Sequence, residues 1–319
     1  DNTLSIEEIG KIKYPIFWTL HDQWPFCGAE HYTHPPIIKN GSQINDFRYR
    51  QNYSSKSRIF DEKGFDLNKW TWERKKRSWK KPINIVATSS WLYECAKKSS
   101  LMQNWPIQLI PYPINTKKWR PINKLYAKNI LGIDPNKKVV LFGAIGGTKD
   151  SRKGSHLLEA ALRILSDSYF HDIKNSIQIL VFGEASNKKF INNLPVEFLG
   201  SFKDDLSLRV IYSAADVMVV PSIQEAFGQT ASEAHACATP VVGFKIGGLI
   251  DIVSHKETGY LADPYNPGSL AYGINWTLED EERNKKLSSQ ARLKAEKCWD
   301  SRIIAKKYID AYHSVLSIK

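Results

Sequence analysis

Pro221-Ser222-Ile223-Gln224-Glu225-Ala226-Phe227-Gly228-Gln229-Thr230-Ala231-Ser232-Glu233 follows the apolar run Val217-Met218-Val219-Val220 and leads into a segment of small residues. It reads as a strand, a turn and the start of a helix. Gly228 has no side chain to hold a ligand off the backbone. The N–H groups of Phe227, Gly228 and Gln229, at the helix start, lack intrahelical acceptors and lie at the positive end of the helix dipole. The spacing therefore predicts a seat for the phosphates of a nucleotide. Glu225 falls in the loop, and Glu233, about two turns into the helix, sends its side chain back toward the N-terminus. A diphosphate on the helix end would offer its sugar to Glu225 and its ribose to Glu233. The competing reading is two solvated glutamates on a surface helix. Ala226, Ala231, Ala234, Ala236 and Ala238 weigh against it, because small residues suit close packing.

The Pro-Ser turn, with Phe227-Gly228 between Glu225 and Glu233, resembles the donor-site motif of glycosyltransferase family 4, retaining enzymes of GT-B fold. Further segments match in the family's order over most of the chain. They are Trp18-Thr19-Leu20-His21-Asp22, Thr88-Ser89-Ser90-Trp91-Leu92, Pro111-Tyr112-Pro113-Ile114-Asn115-Thr116, Arg152-Lys153-Gly154 and Gly247-Gly248-Leu249-Ile250-Asp251. The likeness is strongest to bacterial enzymes that build colanic acid, capsule or O-antigen polysaccharide. It implies an α/β chain of two Rossmann-like domains facing a cleft and a nucleotide-sugar donor. It also implies a glycan or lipid-linked acceptor. Lys153 matches the family's lysine before glycine, and His21 its histidine beside the donor sugar. Glu225 is then placed on the sugar hydroxyls and Glu233 on the ribose. The family's arginine directly after the first strand of the second domain is replaced by Gly143-Ala144-Ile145, which puts Arg152 forward as its substitute.

Chemistry at these positions follows from charge. Retaining transfer needs cations on the leaving diphosphate and an acceptor hydroxyl on the face from which the phosphate departs, so the protein supplies electrostatics and alignment. Arg152 and Lys153 provide the cations opposite the helix end, with a solvated basic turn as the competing reading. His21 follows a strand at its carboxyl end, where ligands of such sheets bind. It is expected to hydrogen-bond the sugar, with Asp22 orienting the imidazole. Phe202, in the loop Gly200-Ser201-Phe202-Lys203, is a candidate contact to the base. No Asp-x-Asp motif occurs, and no metal or other cofactor is expected. Cys27, His31 and His34 are close in sequence but lack a fourth ligand for a structural zinc.

The remaining sequence sets the frame. The 319 residues, 42% hydrophobic and 24% charged, have room for two cored domains. No window approaches the ~20 consecutive apolar residues of a membrane span. Four scattered cysteines and no visible signal peptide fit a reducing cytoplasm. Half of the net charge of +12 lies between Lys69 and Lys81, where seven basic residues and one acidic are interleaved with Trp70, Trp72 and Trp79. A surface for anionic lipid is one reading, which would attach the protein peripherally to the inner face of the plasma membrane. Nucleic-acid binding is less favoured. A solvated helix whose tryptophans pack on their own domain is the third.

Strands are expected at Lys138 to Gly143, Ile177 to Gly183, Val196 to Leu199, Asp216 to Val220, Pro240 to Phe244 and Gly259 to Ala262. Helices at Leu157 to Leu165 and Leu206 to Ala214 alternate with them, the pattern of a parallel sheet covered on both faces. The first half offers only Pro15 to Leu20, Ile83 to Thr88 and Gln108 to Pro111, so the chain is expected to begin inside its first domain. Residues 36–68, polar and aperiodic, are expected to form a long excursion or lid. The domain division is placed at 1–113 and 114–300, with the last helix, Ser301 to Leu316, returning to the first domain. A fold that retains sugar or nucleotide binding but not catalysis is the rival class. Retention of Glu225, Glu233, Lys153 and His21 argues against it.

Overall fold

A computed structural model describes residues 4–39, 42–58, 64–143, 150–167, 176–186, 188 and 190–316. The chain divides into two units, Asp1–Pro111 with Lys306–Lys319, and Tyr112–Ala305. The first contains α1 (Ile6–Lys11), β1 (Phe17–Thr19), β2 (Ile37–Lys39), β3 (Ser42–Ile44), α2 (Leu67–Ser78), β4 (Asn84–Ala87), α3 (Ser90–Lys97) and β5 (Ile107–Leu109). Strands β1, β4 and β5 pair in parallel in that order. They are the three strands expected from sequence, the first two shortened at both ends and the third shifted to begin one residue earlier and end two earlier.

The described residues of 36–68, expected as a long excursion or lid, carry more regular structure than their aperiodic sequence suggests. They hold the antiparallel β2–β3 hairpin and two 3-10 turns. Arg48, Tyr49 and Tyr53 are buried. Arg48 pairs with Asp66 at 2.5 Å, and Tyr53 stacks on Trp72 with ring centroids 5.9 Å apart. A 3-10 turn has neither a 2-residue nor a 3.6-residue period, so pattern reading missed Tyr49 in the first turn and Tyr53 between the two.

The basic segment divides between buried and exposed side chains. Trp72 and Trp79 are buried in the first unit, and Trp79 contacts Trp18, Trp24 and Trp105. Arg74 is clasped by Glu7 at 2.9 and 2.7 Å. Lys75 is wholly buried, its ammonium donating to the carbonyls of Trp24, Cys27 and Gly28 over the Trp24 ring. Burial pushes its pKa down to about 7. Only Lys76, Arg77, Lys80 and Lys81 are exposed cations there, beside a half-exposed Trp70.

The second unit carries α4 (Lys124–Ile130), β6 (Lys138–Gly143), α5 (Ser155–Asp167), β7 (Ile177–Phe182), β8 (Phe190–Ile191), β9 (Leu194–Gly200), α6 (Asp205–Ala214), β10 (Val217–Val220), α7 (Gln229–Ala236), β11 (Val241–Phe244), α8 (Leu249–Ile252), β12 (Gly259–Ala262), α9 (Pro267–Leu278) and α10 (Glu281–Trp299). The last helix, α11 (Ser301–Leu316), runs from this unit into the first. The sheet order is β12-β11-β10-β6-β7-β9-β8, parallel except for the short β8 against β9. Alternation divides each strand between two cores. Val139, Leu141, Met218 and Val220 join one cluster, while Val140, Phe142, Val217 and Val219 join the other. Both faces are covered, which is why these strands read as unbroken apolar runs. Ligands of such sheets bind beyond the carboxyl ends of the strands, here Gly143, Val220 and Phe244.

Candidate active site

Main-chain contacts bring three turns together at those strand ends. Ser151–Lys153 form one 3-10 turn, whose N-cap Asp150 accepts from the Arg152 N–H at 3.0 Å. The Ile223 N–H donates to the Arg152 carbonyl at 2.7 Å, lacing this turn to the loop after β10. Gly154 has φ of +69°, and a Cβ there would stand 1.9 Å from the Pro221 carbonyl oxygen. On the other side of the loop, the Gly248 N–H donates to the Glu225 carbonyl at 2.8 Å. Gly247 has φ of +48°, and its added Cβ would lie 2.2 Å from that same oxygen. Glycine at 154 and 247 is thus demanded by both conformation and backbone approach.

The charges follow from this lacing. Lys153 Nζ lies 2.8 Å from Glu225 Oε2, so the cation and the carboxylate read separately from the sequence form one ion pair. Ser222 Oγ donates to the same oxygen at 3.1 Å. The Arg152 guanidinium pairs with Asp150 at 2.7 Å. Gly143 ends β6, and positions 144 and 145, where the family arginine is replaced, lie outside the described residues.

Helix α7 opens on Gly228, at φ of 104°, with no side-chain cap. Among the described residues none accepts a hydrogen bond from the N–H of Phe227, Gly228 or Gln229. Glu233, within the helix, accepts from Tyr212 Oη at 2.9 Å and from Gln229 Nε2 at 3.0 Å. Burial pushes its carboxyl above the ordinary range, and these two donors hold it back in part. Glu233 lines a cavity of about 180 Å³ with Tyr112, Pro113, Ile114, Asn115, Trp119, Gln229 and Ser232. Phe202 is half-buried against the core cluster that contains Tyr212. An uncapped helix end, an ammonium and two carboxylates can together bind a diphosphate and polyhydroxylated groups on either side of it.

In the first unit, His21 is exposed just past β1, where the Leu20 N–H still donates to the Val86 carbonyl at 2.8 Å. Asp22, expected to orient His21, binds His31 Nδ1 at 2.6 Å and accepts from the Trp24 N–H at 2.9 Å. Cys27 is buried, and burial raises its thiol pKa. Cys27, His31 and His34 are not brought together, and no group of three or more metal-ligating side chains occurs among the described residues. Nor is any described helix long and apolar enough to cross a membrane.

Comparison with known proteins decides the family. The family model described as glycosyl transferases group 1 matches residues 126–294, more than half of the chain. The chain belongs to the glycosyl transferases group 1 family. Among relatives of this group 1 chain, an uncharacterized glycosyltransferase of Methanocaldococcus jannaschii is 29% identical over 199 residues, covering 59% of the chain and 48% of that protein. A D-inositol 3-phosphate glycosyltransferase of Segniliparus rotundus is 34% identical over 172 residues, covering 50% of the chain and 36% of that protein. The matches thus span about half or less of these relatives. Among solved structures, sucrose-phosphate synthase from Thermosynechococcus elongatus superposes with a TM-score of 0.67 at 27% identity, covering 80% of the chain and 63% of the other. Anabaena HepE in complex with UDP and glucose gives 0.65 at 19% identity over 95% and 72%. The fold is of the α/β GT-B class.

Sequence reading of this group 1 chain missed Tyr212, Ser222 and the cavity wall. Tyr212 lies on a helix whose pattern signals only core. Tyr112 and Asn115 lie in the stretch Pro111–Thr116, which was read for its family likeness with no role for either, and Trp119 follows just after it. Ser222 did carry a signal: a serine three residues before a glutamate is a familiar local hydrogen-bonding spacing.

Proposed function

We propose that the protein is a retaining glycosyltransferase of family 4 that moves a sugar from a nucleotide-sugar donor to a growing cell-surface glycan. The Lys153–Glu225 pair beside the uncapped start of α7, with Glu233 on a cavity wall in the same helix, is the observation that carries this reading. The N–H groups of Phe227, Gly228 and Gln229 hold the diphosphate, and Lys153 shares its ammonium between phosphate and Glu225. Glu233 accepts from the ribose hydroxyls, a task suited to a carboxylate already fixed by Tyr212 and Gln229. Phe202 contacts the base, and Arg152 takes part only if it leaves Asp150. His21 hydrogen-bonds the donor sugar.

In the reaction the bond from the anomeric carbon to the phosphate oxygen breaks, its electron pair leaving with the diphosphate. An acceptor oxygen bonds to the same face of that carbon, and its proton passes to the departing phosphate. The protein residues align these groups and stabilise the leaving charge without forming a bond themselves. The acceptor proposed is a lipid-linked oligosaccharide of a bacterial capsule, colanic acid or O-antigen type, met at the cytoplasmic membrane face. The exposed cations Lys76, Arg77, Lys80 and Lys81 support that docking. The test is a thermal-shift screen of UDP-, GDP- and dTDP-sugars, since a ligand of the folded state raises apparent stability. At least one family of donors should stabilise the protein, and the effect should vanish in Lys153→Ala/Glu233→Ala. Stabilisation by none would overturn the reading.

A further inference from the structure

The ammonium of Lys153 and the hydroxyl of Ser222 converge on one oxygen of Glu225. Oε2 receives them at 2.8 and 3.1 Å, while Oε1 has no partner among the described residues. Ser222 is 1% exposed, so its hydroxyl is shielded from bulk solvent. At the start of a helix, a serine in this spacing would cap the backbone N–H three residues on. Here the helix does not begin until Gln229, and the hydroxyl reaches the carboxylate itself.

The main chain fixes each participant. Ile223 N–H on the Arg152 carbonyl holds the lysine turn beside the serine, and Gly248 N–H on the Glu225 carbonyl holds the glutamate from its other side. A carboxylate oxygen offers two lone-pair directions. With both of those at Oε2 taken, the carboxylate cannot rotate without giving up a bond, and Oε1 is the oxygen left for an outside donor.

We infer that Ser222 is a positioning residue of the donor site. Together with Lys153 it locks Oε2 so that Oε1 is presented to a hydroxyl of the transferred sugar. The inference rests on the reading of Glu225 as the sugar-holding group, and goes beyond it by assigning what aims that group. Lys153 has a second duty on the phosphate, so Ser222 is the donor that stays with Glu225 throughout. Its removal therefore affects the sugar and leaves the bare nucleotide alone.

The experiment measures release of nucleoside diphosphate from the preferred nucleotide-sugar, with water as the acceptor, beside the affinity for the nucleoside diphosphate itself. Ser222→Ala should lower kcat by about tenfold, a loss of about 1.4 kcal/mol of transition-state stabilisation, with nucleoside diphosphate Kd unchanged. Ser222→Thr, which keeps the hydroxyl, should recover most of the rate. In a Glu225→Ala background, adding Ser222→Ala should change kcat by less than about twofold, because the group it aims is gone. An equal loss in both backgrounds, or a wild-type rate in Ser222→Ala, would overturn the proposal. If Ser222→Ala does not fold, Ser222→Cys replaces it: a weak donor should lose rate where threonine does not. Failure of the wild-type protein to bind any nucleotide-sugar would refute the functional reading itself. Normal binding and turnover with an indifferent Ser222 would refute the positioning role alone.

Discussion

Replacing Glu233 with glutamine isolates the charge at the proposed nucleotide site. The variant keeps the shape of the side chain and an acceptor for the Tyr212 hydroxyl, which otherwise would stand unpaired in a fully buried position. It removes the negative charge proposed to draw the ribose hydroxyls. A hydrogen bond to a charged group contributes roughly 1.5–3 kcal/mol, against about 0.5–1.5 kcal/mol for a neutral one. The difference of about 1–2 kcal/mol converts to a rise in Kd of roughly 5- to 30-fold. Isothermal titration with the nucleoside diphosphate reads it. The pH dependence gives a second arm. Burial raises the Glu233 pKa above its ordinary 4.5, so as pH falls through that raised value the carboxylate takes up a proton and loses acceptor strength. Affinity should therefore weaken with acidification beginning above pH 4.5, and Glu233→Gln should remove that component. Stability runs the other way: the native state binds more protons in this window, so the group's contribution falls as pH rises through it. A glutamine variant that binds nucleotide like wild type, with the same pH profile, would refute the ribose assignment.

Gly154→Ala should impair folding or turnover sharply, since a Cβ 1.9 Å from the Pro221 carbonyl must part the lysine turn from the loop of Glu225. Wild-type melting and turnover would contradict the lacing. Lys75→Met should destabilise the protein by about 2–5 kcal/mol in denaturant melts, because the carbonyls of Trp24, Cys27 and Gly28 lose their shared donor in a dry site. An unchanged midpoint would show that water replaces the ammonium. Lys76, Arg77, Lys80 and Lys81 all replaced by glutamine should weaken sedimentation with anionic vesicles by at least about tenfold while sparing nucleotide affinity. Unaltered sedimentation would remove the segment from the account of membrane docking.

The second unit was legible because its physics is local and repetitive. Runs such as Val217–Val220 are apolar throughout since both sheet faces are buried, and β6 and β12 begin and end where the sequence placed them. The start of α7 was legible for the same reason: Gly228 marks it by residue type, and the helix opens there. Pairings across long separations were not. Nothing in the sequence says that Lys153 meets Glu225, 72 positions away, or that Asp22 turns to His31. How the basic segment divides between core and solvent was not legible, because charge and aromatic content do not reveal orientation. In a single helical stretch, Lys75, Trp72 and Trp79 face inward while Lys76 and Arg77 face solvent. Tyr212 was invisible because a buried tyrosine looks like core until the partner of its hydroxyl is known.

The most direct test of the central claim is a crystal structure of the protein with the nucleoside diphosphate selected by the donor screen. The account predicts phosphate oxygens within hydrogen-bonding distance of the N–H groups of Phe227, Gly228 and Gln229 and of Lys153 Nζ, with the ribose hydroxyls on Glu233. A nucleotide bound elsewhere, with the start of α7 empty and Glu233 in contact only with Tyr212 and Gln229, would contradict it.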